Sequence, residues 1–241
     1  MMPAAPLFRT LAGTAALLLA AAAPGLAQHP AQAERPGDHA IGDPDAPLLV
    51  VEYASFACPH CAHFQEEAWP TIREDFIETG QVRWIFRPML TNPVALAGAG
   101  VIVAECAAED RFFDAADLLF SEQPTLFETA RSGGDVLAVY NRVGEAVGVS
   151  PEALMACFQD PAMNAAVNDA AMQASEDGIP GTPAFVIHDQ VLMAVGGPEG
   201  THFEYGDAPL MINGERVPGE LDGDSFNRII LHFLDQSDSG N

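Results

Sequence analysis

An apolar, β-rich run, LLVVEYAS from Leu48 to Ser55, leads within three residues into a cysteine pair, Cys58 and Cys61, that encloses Pro59 and His60. A short run of this kind reads as a strand covered on both faces. A helix is then predicted from about Pro59 to Thr79. Phe64, Ala68, Trp69, Ile72 and Phe76 recur three or four positions apart, Pro70 should kink the helix, and Gly80 offers a stop. Next, QVRWIFRP places Val82, Trp84 and Phe86 on one face of a second strand. Strand, helix and strand within about 40 residues make a βαβ unit, with the cysteine pair where the first strand turns into the helix.

Residues 92–178 lack a strand pattern and read as several helices. Asn92-Pro93, Ser150-Pro151 and Asp160-Pro161 each set a capping side chain before a first-turn proline, and Gly178 would close the last helix. Strand character resumes in GTPAFVI, from Gly181 to Ile187. INGERV carries a hairpin signal at Asn213-Gly214. Phe226, Ile229, Ile230 and Phe233 mark a closing helix over about 225–235. A βαβ unit and a ββα unit around a helical block outline an α/β, thioredoxin-like fold with a helical insertion. The expected divisions are a signal peptide over 1–27, a flexible leader over 28–45, a thioredoxin-like domain over 46–91 and 179–241, and an inserted helical subdomain over 92–178.

The signal peptide is read from Arg9, the apolar stretch Leu11 to Ala23, and the small residues GLA at 25–27, with AQA at 31–33 as a second cleavage candidate. Export would put the four cysteines in an oxidising compartment, where disulfides persist. The chain has 34 Asp and Glu against 10 basic residues, a net charge of −24, and every basic residue is arginine. Such a surface repels phosphate backbones and anionic lipids, which argues against nucleic-acid or membrane-surface partners. Without lysine, Schiff-base chemistry and a Walker A loop are excluded.

A cysteine at a helix start meets unsatisfied backbone N–H groups and a partial positive charge, both of which favour thiolate over thiol. Pro59 suits the first turn, and His60 adds positive charge when protonated. A depressed thiolate pKa makes the reduced pair comfortable and its disulfide oxidising. Cys61, one turn inward, would be the buried resolving partner. Three other readings compete: a metal site using Cys58, Cys61 and His63, haem attachment, and an inert staple. The chain has no second C-x-x-C, and Cys106 and Cys157 lie 45 and 96 positions beyond Cys61; haem attachment needs His where Ala62 stands. A disulfide across so short a loop would constrain little. No cofactor or metal is expected.

EYASFACPHCAHF, GTPAFVI and the helical insertion together resemble the DsbA family of exported thiol:disulfide oxidoreductases. The resemblance covers roughly 42–187 and 210–234. It implies that Cys58 is the nucleophile and Cys61 resolves. Its expected partners are reduced, newly exported polypeptides and a DsbB-like membrane reoxidant. A monomeric periplasmic oxidase is therefore expected. The alternatives are a disulfide isomerase or reductase, and a non-enzymatic metal-binding module on the same fold. Thr182-Pro183 matches the family's cis-proline. Glu52 matches an acid placed near the buried sulfur as a proton relay, but the family's lysine companion is absent, so a charge partner would have to be arginine or water. Cys106 and Cys157 read as a structural disulfide, with free thiols as the alternative. Residues 188–209 depart from the family, as an extension of the sheet or a flap beside Pro183. His63, His188 and His202 read as ordinary residues.

Overall fold

The computed structural model of the protein describes residues 32–198 and 200–239. The expected signal peptide, residues 1–27, and the start of the leader lie outside them. Strands β1 (His39–Ile41), β2 (Leu48–Ala54), β3 (Val82–Pro88), β4 (Ala184–Ile187), β5 (Gln190–Gly197), β6 (Gly200–Tyr205) and β7 (Ala208–Pro209) form one sheet in the order β1-β3-β2-β4-β5-β6-β7. Strands β2 and β3 pair in parallel across the βαβ crossover, and the other neighbours pair antiparallel.

Strand β2 is central and covered on both faces, which is why its sequence is apolar without alternation. Leu48 and Val50 join a core with Phe64, Trp84, Phe185 and the helix residues Phe226, Ile229 and Phe233. Val51 and Tyr53 face the other way, toward Ile85, Val186, Ala174 and Ile179. Strand β3 was expected to set Val82, Trp84 and Phe86 on one face. Ile85 is buried as well, because the insertion's last helix covers the second face. Phe64 meets Phe226 edge-on with ring centroids 4.8 Å apart and lies against Trp84 and Phe185. Deleting a ring so enclosed costs about 3–5 kcal/mol.

The helix expected from 59 to 79 is broken. It forms α1 (Pro59–Glu67), a short α2 (Trp69–Ile72) and a π-helical turn at Arg73–Ile77. Pro70 cannot donate to a continuing helix, so the chain stops at Ala68 and restarts with the proline in a first turn. The insertion is wholly helical: α3 (Val94–Cys106), α4 (Phe112–Ser121), α5 (Gln123–Arg131), α6 (Val136–Ala146), α7 (Pro151–Gln159) and α8 (Pro161–Glu176). Ser150 and Asp160 cap α7 and α8 by accepting from Ala153 N and Ala162 N. Asn92 does not cap α3. The Asn92–Pro93 peptide is cis and Pro93 itself takes the N-cap position. Gly100 lets α3 approach Phe56 so closely that a Cβ would lie 2.8 Å from the phenylalanine's own. The closing helix, α9, spans Gly223–Ser239.

Two further expectations need correction. The ββ unit is not completed by the Asn213-Gly214 hairpin. His188 and Asp189, both with positive φ, turn β4 directly into β5, and residues 188–209 extend the sheet through β6 and β7. The Asn-Gly turn joins a separate pair, β8 (Met211–Ile212) and β9 (Glu215–Arg216). Nor is the leader loose where it is described. Residues 39–41 pair with β3, and Arg87 forks onto Asp38 at 2.7 and 2.8 Å. Burying the Arg87 head beside Tyr53 leaves it a strong need for that carboxylate.

Cys106, at the end of α3, and Cys157, in α7, are joined by a disulfide. Cross-linking residues 51 positions apart removes loop entropy worth about 4 kcal/mol from the unfolded chain. Equilibrium urea unfolding of the Cys106→Ser/Cys157→Ser variant should show a loss of about 3–4 kcal/mol. An unchanged unfolding midpoint would mean that the bond contributes nothing.

Candidate active site

Strand β2 ends at Ala54, and the chain turns into α1 through Ser55, Phe56 and Ala57, with Cys58 N–H donating to the Ser55 carbonyl at 2.9 Å. The turn is locked from three directions. Ser55 Oγ accepts from Ala57 N and from the Thr91 hydroxyl, and Phe56 stacks against Phe86 and Phe120. Gln123, buried on α5, donates its side-chain amide to the carbonyls of Phe56 and Cys58 at 2.9 and 3.1 Å. Nothing in the local sequence singles out Gln123. It reaches the turn only because the insertion folds over it.

Cys58 occupies the N-cap of α1 with extended backbone angles, and Pro59 takes the first helical position. Cys61 is fully buried and Cys58 is 7% exposed. Both sulfurs are free thiols. Opposite them the Thr182–Pro183 peptide is cis, and the Cys58 thiol donates to the Thr182 carbonyl at 3.4 Å. The sequence therefore brings together, across 124 positions, a helix N-terminus and a proline loop.

The two sulfurs are driven apart in acidity. A hydrogen bond from the Cys61 thiol is the largest cause lowering Cys58 from near 9 to about 5. Burial opposes that fall, while the N–H groups of Cys61 and His60 add to it. His60 thus acts on the sulfur through its backbone, and its imidazole is exposed. Cys61 is pushed well above its ordinary value by burial first and then by Cys58 beside it. A thiolate at ease near neutral pH, next to a thiol that keeps its proton, is a pair suited to thiol–disulfide exchange.

Glu52 lies inside the sheet, 2% exposed, six positions before Cys58. Burial raises its carboxyl from 4.5 to about 8. Trp84 Nε1 donates to Oε2 at 3.0 Å and partly opposes the rise, while Oε1 has no hydrogen-bond partner. Its side-chain partner is thus the Trp84 indole, a neutral group, where a charge partner was expected to be arginine or water. A carboxyl raised this far keeps its proton at neutral pH. Beside α1, a cleft of about 690 Å³ runs between Pro59, His63, Trp69, Asp117, Phe120 and Pro124. Among the described residues no group of three or more His, Cys, Asp and Glu side chains is placed to hold a metal ion.

Two titrations test this electrostatic layout. Following thiolate absorbance, Cys58 should titrate with a midpoint near 5. Because its folded value is depressed, its contribution to stability of the reduced form is complete above about 9 and is lost as pH falls through 5. The contribution of Cys61, raised instead, is constant over that window. The stability difference between reduced and oxidised protein should accordingly shrink from pH 9 to pH 5, and a constant difference would refute the assignment. Glu52 has the opposite sign. Its contribution is present below 4.5 and lost as pH rises through about 8, so Glu52→Gln should gain on wild type across that range in urea unfolding.

Comparison with known proteins comes to the same fold. The thioredoxin family model matches residues 34–200. The putative protein-disulfide oxidoreductase of Rickettsia bellii is 25% identical over 123 residues, covering 51% of this chain and 46% of that protein. Disulfide bond formation protein D of Bacillus subtilis is 34% identical over 95 residues, 36% of this chain and 40% of its own. The chain spans about half the length of the curated relatives it matches. Among solved structures, alpha-DsbA1 of Wolbachia pipientis superposes with a TM-score of 0.65 at 20% identity, over 86% of this chain and 96% of that one. Oxidised BdbD of Bacillus subtilis gives 0.62 at 20% identity, over 86% and 98%. At such identity these likenesses are of fold. With the family model matching well over half of its residues, the chain belongs to the thioredoxin family and carries the DsbA-like form of its fold, with a helical insertion.

Proposed function

We propose that the protein is a thiol:disulfide oxidoreductase that donates the Cys58–Cys61 disulfide to reduced, newly exported polypeptides. The observation that carries this reading is the placement of Cys58 at the N-cap of α1, 3.4 Å from the carbonyl that precedes cis-Pro183, with Cys61 buried one turn inward. A substrate thiolate attacks Cys58 Sγ, and the Cys58–Cys61 bond breaks. The Cys61 sulfur leaves with the electron pair and takes a proton, for which the family resemblance makes Glu52 the store. The substrate's second thiol loses its proton and attacks the substrate sulfur of the mixed disulfide, releasing Cys58 as a thiolate. The substrate dithiol loses two electrons and two protons. The pair gains both electrons and one proton, and the other proton goes to solvent.

Direction follows from the leaving group. A sulfur that is stable as a thiolate departs readily, so the reduced pair is favoured and the disulfide is the oxidant. Thr182 and Pro183 form the wall against which the attacking chain would align. The apolar stretch after Arg9 and the Cys106–Cys157 disulfide both suit export to the periplasm. Reoxidation by a DsbB-like membrane partner and a monomeric state complete the proposal and rest on the family resemblance.

The test is a refolding assay with a reduced, two-disulfide substrate and the oxidised protein in stoichiometric amount. Substrate thiols should disappear one pair per protein, and Cys58→Ser should abolish the reaction. Reduced Cys61→Ser mixed with the disulfide form of the substrate should accumulate a mixed disulfide that peptide mapping places on Cys58. Oxidation by Cys58→Ser at the wild-type rate would overturn the mechanism.

A further inference from the structure

The segment read as a flexible leader makes a set of contacts that the proposed chemistry does not use. Arg35 forks onto Asp177, with Nη2 to Oδ1 at 2.6 Å and Nη1 to Oδ2 at 2.8 Å, across 142 positions. Asp177 is 6% exposed, and its Oδ2 also accepts from the Tyr53 hydroxyl at 2.6 Å. Arg87 donates to that hydroxyl at 3.0 Å, to Asp38, and to the Ala33 carbonyl at 2.6 Å. Gln32 is tied at both ends of its side chain, donating to the Leu49 carbonyl and accepting from Asp189 N. Two bidentate Arg–carboxylate pairs joined through one tyrosine hydroxyl leave few orientations open to the leader.

Where this strap attaches is what matters. Asp177 is the C-cap of α8, and Gly178, at φ 71°, reverses the chain there. Five residues after the clamped carboxylate stands Thr182, whose carbonyl lies 3.4 Å from Cys58 Sγ. The intervening stretch has two backbone ties to α8, from Gly178 N to the Ser175 carbonyl and from Ile179 N to the Ala174 carbonyl. At its far end Pro183 leads into β4, which is fixed to β2. One end of the proline loop is thus anchored by the sheet and the other by Asp177.

We propose that Arg35 is a positioning residue for the Cys58 site. Through Asp177, the leader fixes the end of the proline loop and so holds Thr182 against the sulfur. Tyr53 completes the link, because it lies on β2, the strand that leads to Cys58, and packs with Ala174, Ile179 and Ala184. The idea deepens the thiol–disulfide reading and rests on it for what the loop is used for. Its physical content does not depend on a substrate.

The experiment compares wild type, Arg35→Ala, Arg35→Lys and, as a control weakened elsewhere, Cys106→Ser/Cys157→Ser. Two quantities are read on the reduced full-length proteins: the thiolate midpoint of Cys58, and hydrogen exchange of the amides over 178–182. The Thr182 carbonyl accepts only from the protonated sulfur, so loosening it in Arg35→Ala should lower the midpoint by about half a unit or more. Exchange over 178–182 should accelerate, Arg35→Lys should restore part of both, and the control should move neither. An Arg35→Ala protein that is less stable but titrates and exchanges like wild type would reduce the strap to a stabilising contact and overturn the proposal. A chain that oxidises no substrate would sink the proposed function, while the strap would still stand or fall on its own shift.

Discussion

The site depends on the contact between two sulfurs at the leading end of α1, where one gives its hydrogen bond to the other. Cys61 has no exposure and keeps its proton; Cys58, at the N-cap, receives that proton's attraction together with that of two backbone N–H groups. A thiolate so surrounded is stabilised by groups already fixed in place, with no water to reorganise. Remove the fixed donors and the same four-residue motif is an ordinary pair of thiols.

Much of the molecule can be understood as what keeps those donors fixed. The βαβ unit sets the helix start, and the aromatic cluster around Phe64 holds α1 on the sheet. The insertion contributes Gln123, which binds the carbonyls on the outer side of the turn. The proline loop closes the inner side. The net charge of −24 is no obstacle to a thiolate here, since the acids lie mainly on the surface and the local environment is made of donors. Glu52 is the exception: a buried acid in a strand is costly, and one oxygen of its carboxyl has no partner.

The comparison between sequence and structure is most instructive where the two part. The outline of two half-folds around a helical block was legible, because β2, β3, α8 and α9 carry strong periodicity or firm stop signals. The hairpin after β4 was not. His188-Asp189 is a poor turn signal and Asn213-Gly214 a strong one, yet the core pairing uses the first, since β4 needs an immediate antiparallel neighbour to cover its edge. The leader reads as loose by composition, with Pro36 and Gly37 between charged residues. Arg35 and Asp38 acquire partners only after α8 and β3 have come to lie beside them.

What the chain's own order of residues determined was the chemistry: a C-x-x-C pair at a strand-to-helix junction, an acid on the same strand, and a proline before a later strand. Those are local facts, set by propensity, capping and spacing. Which groups face the sulfur was decided by the tertiary structure alone. Thr182, Gln123 and the Trp84 that meets Glu52 are tens of positions from their partners or more, and such pairings follow from how whole elements pack, which no local pattern encodes.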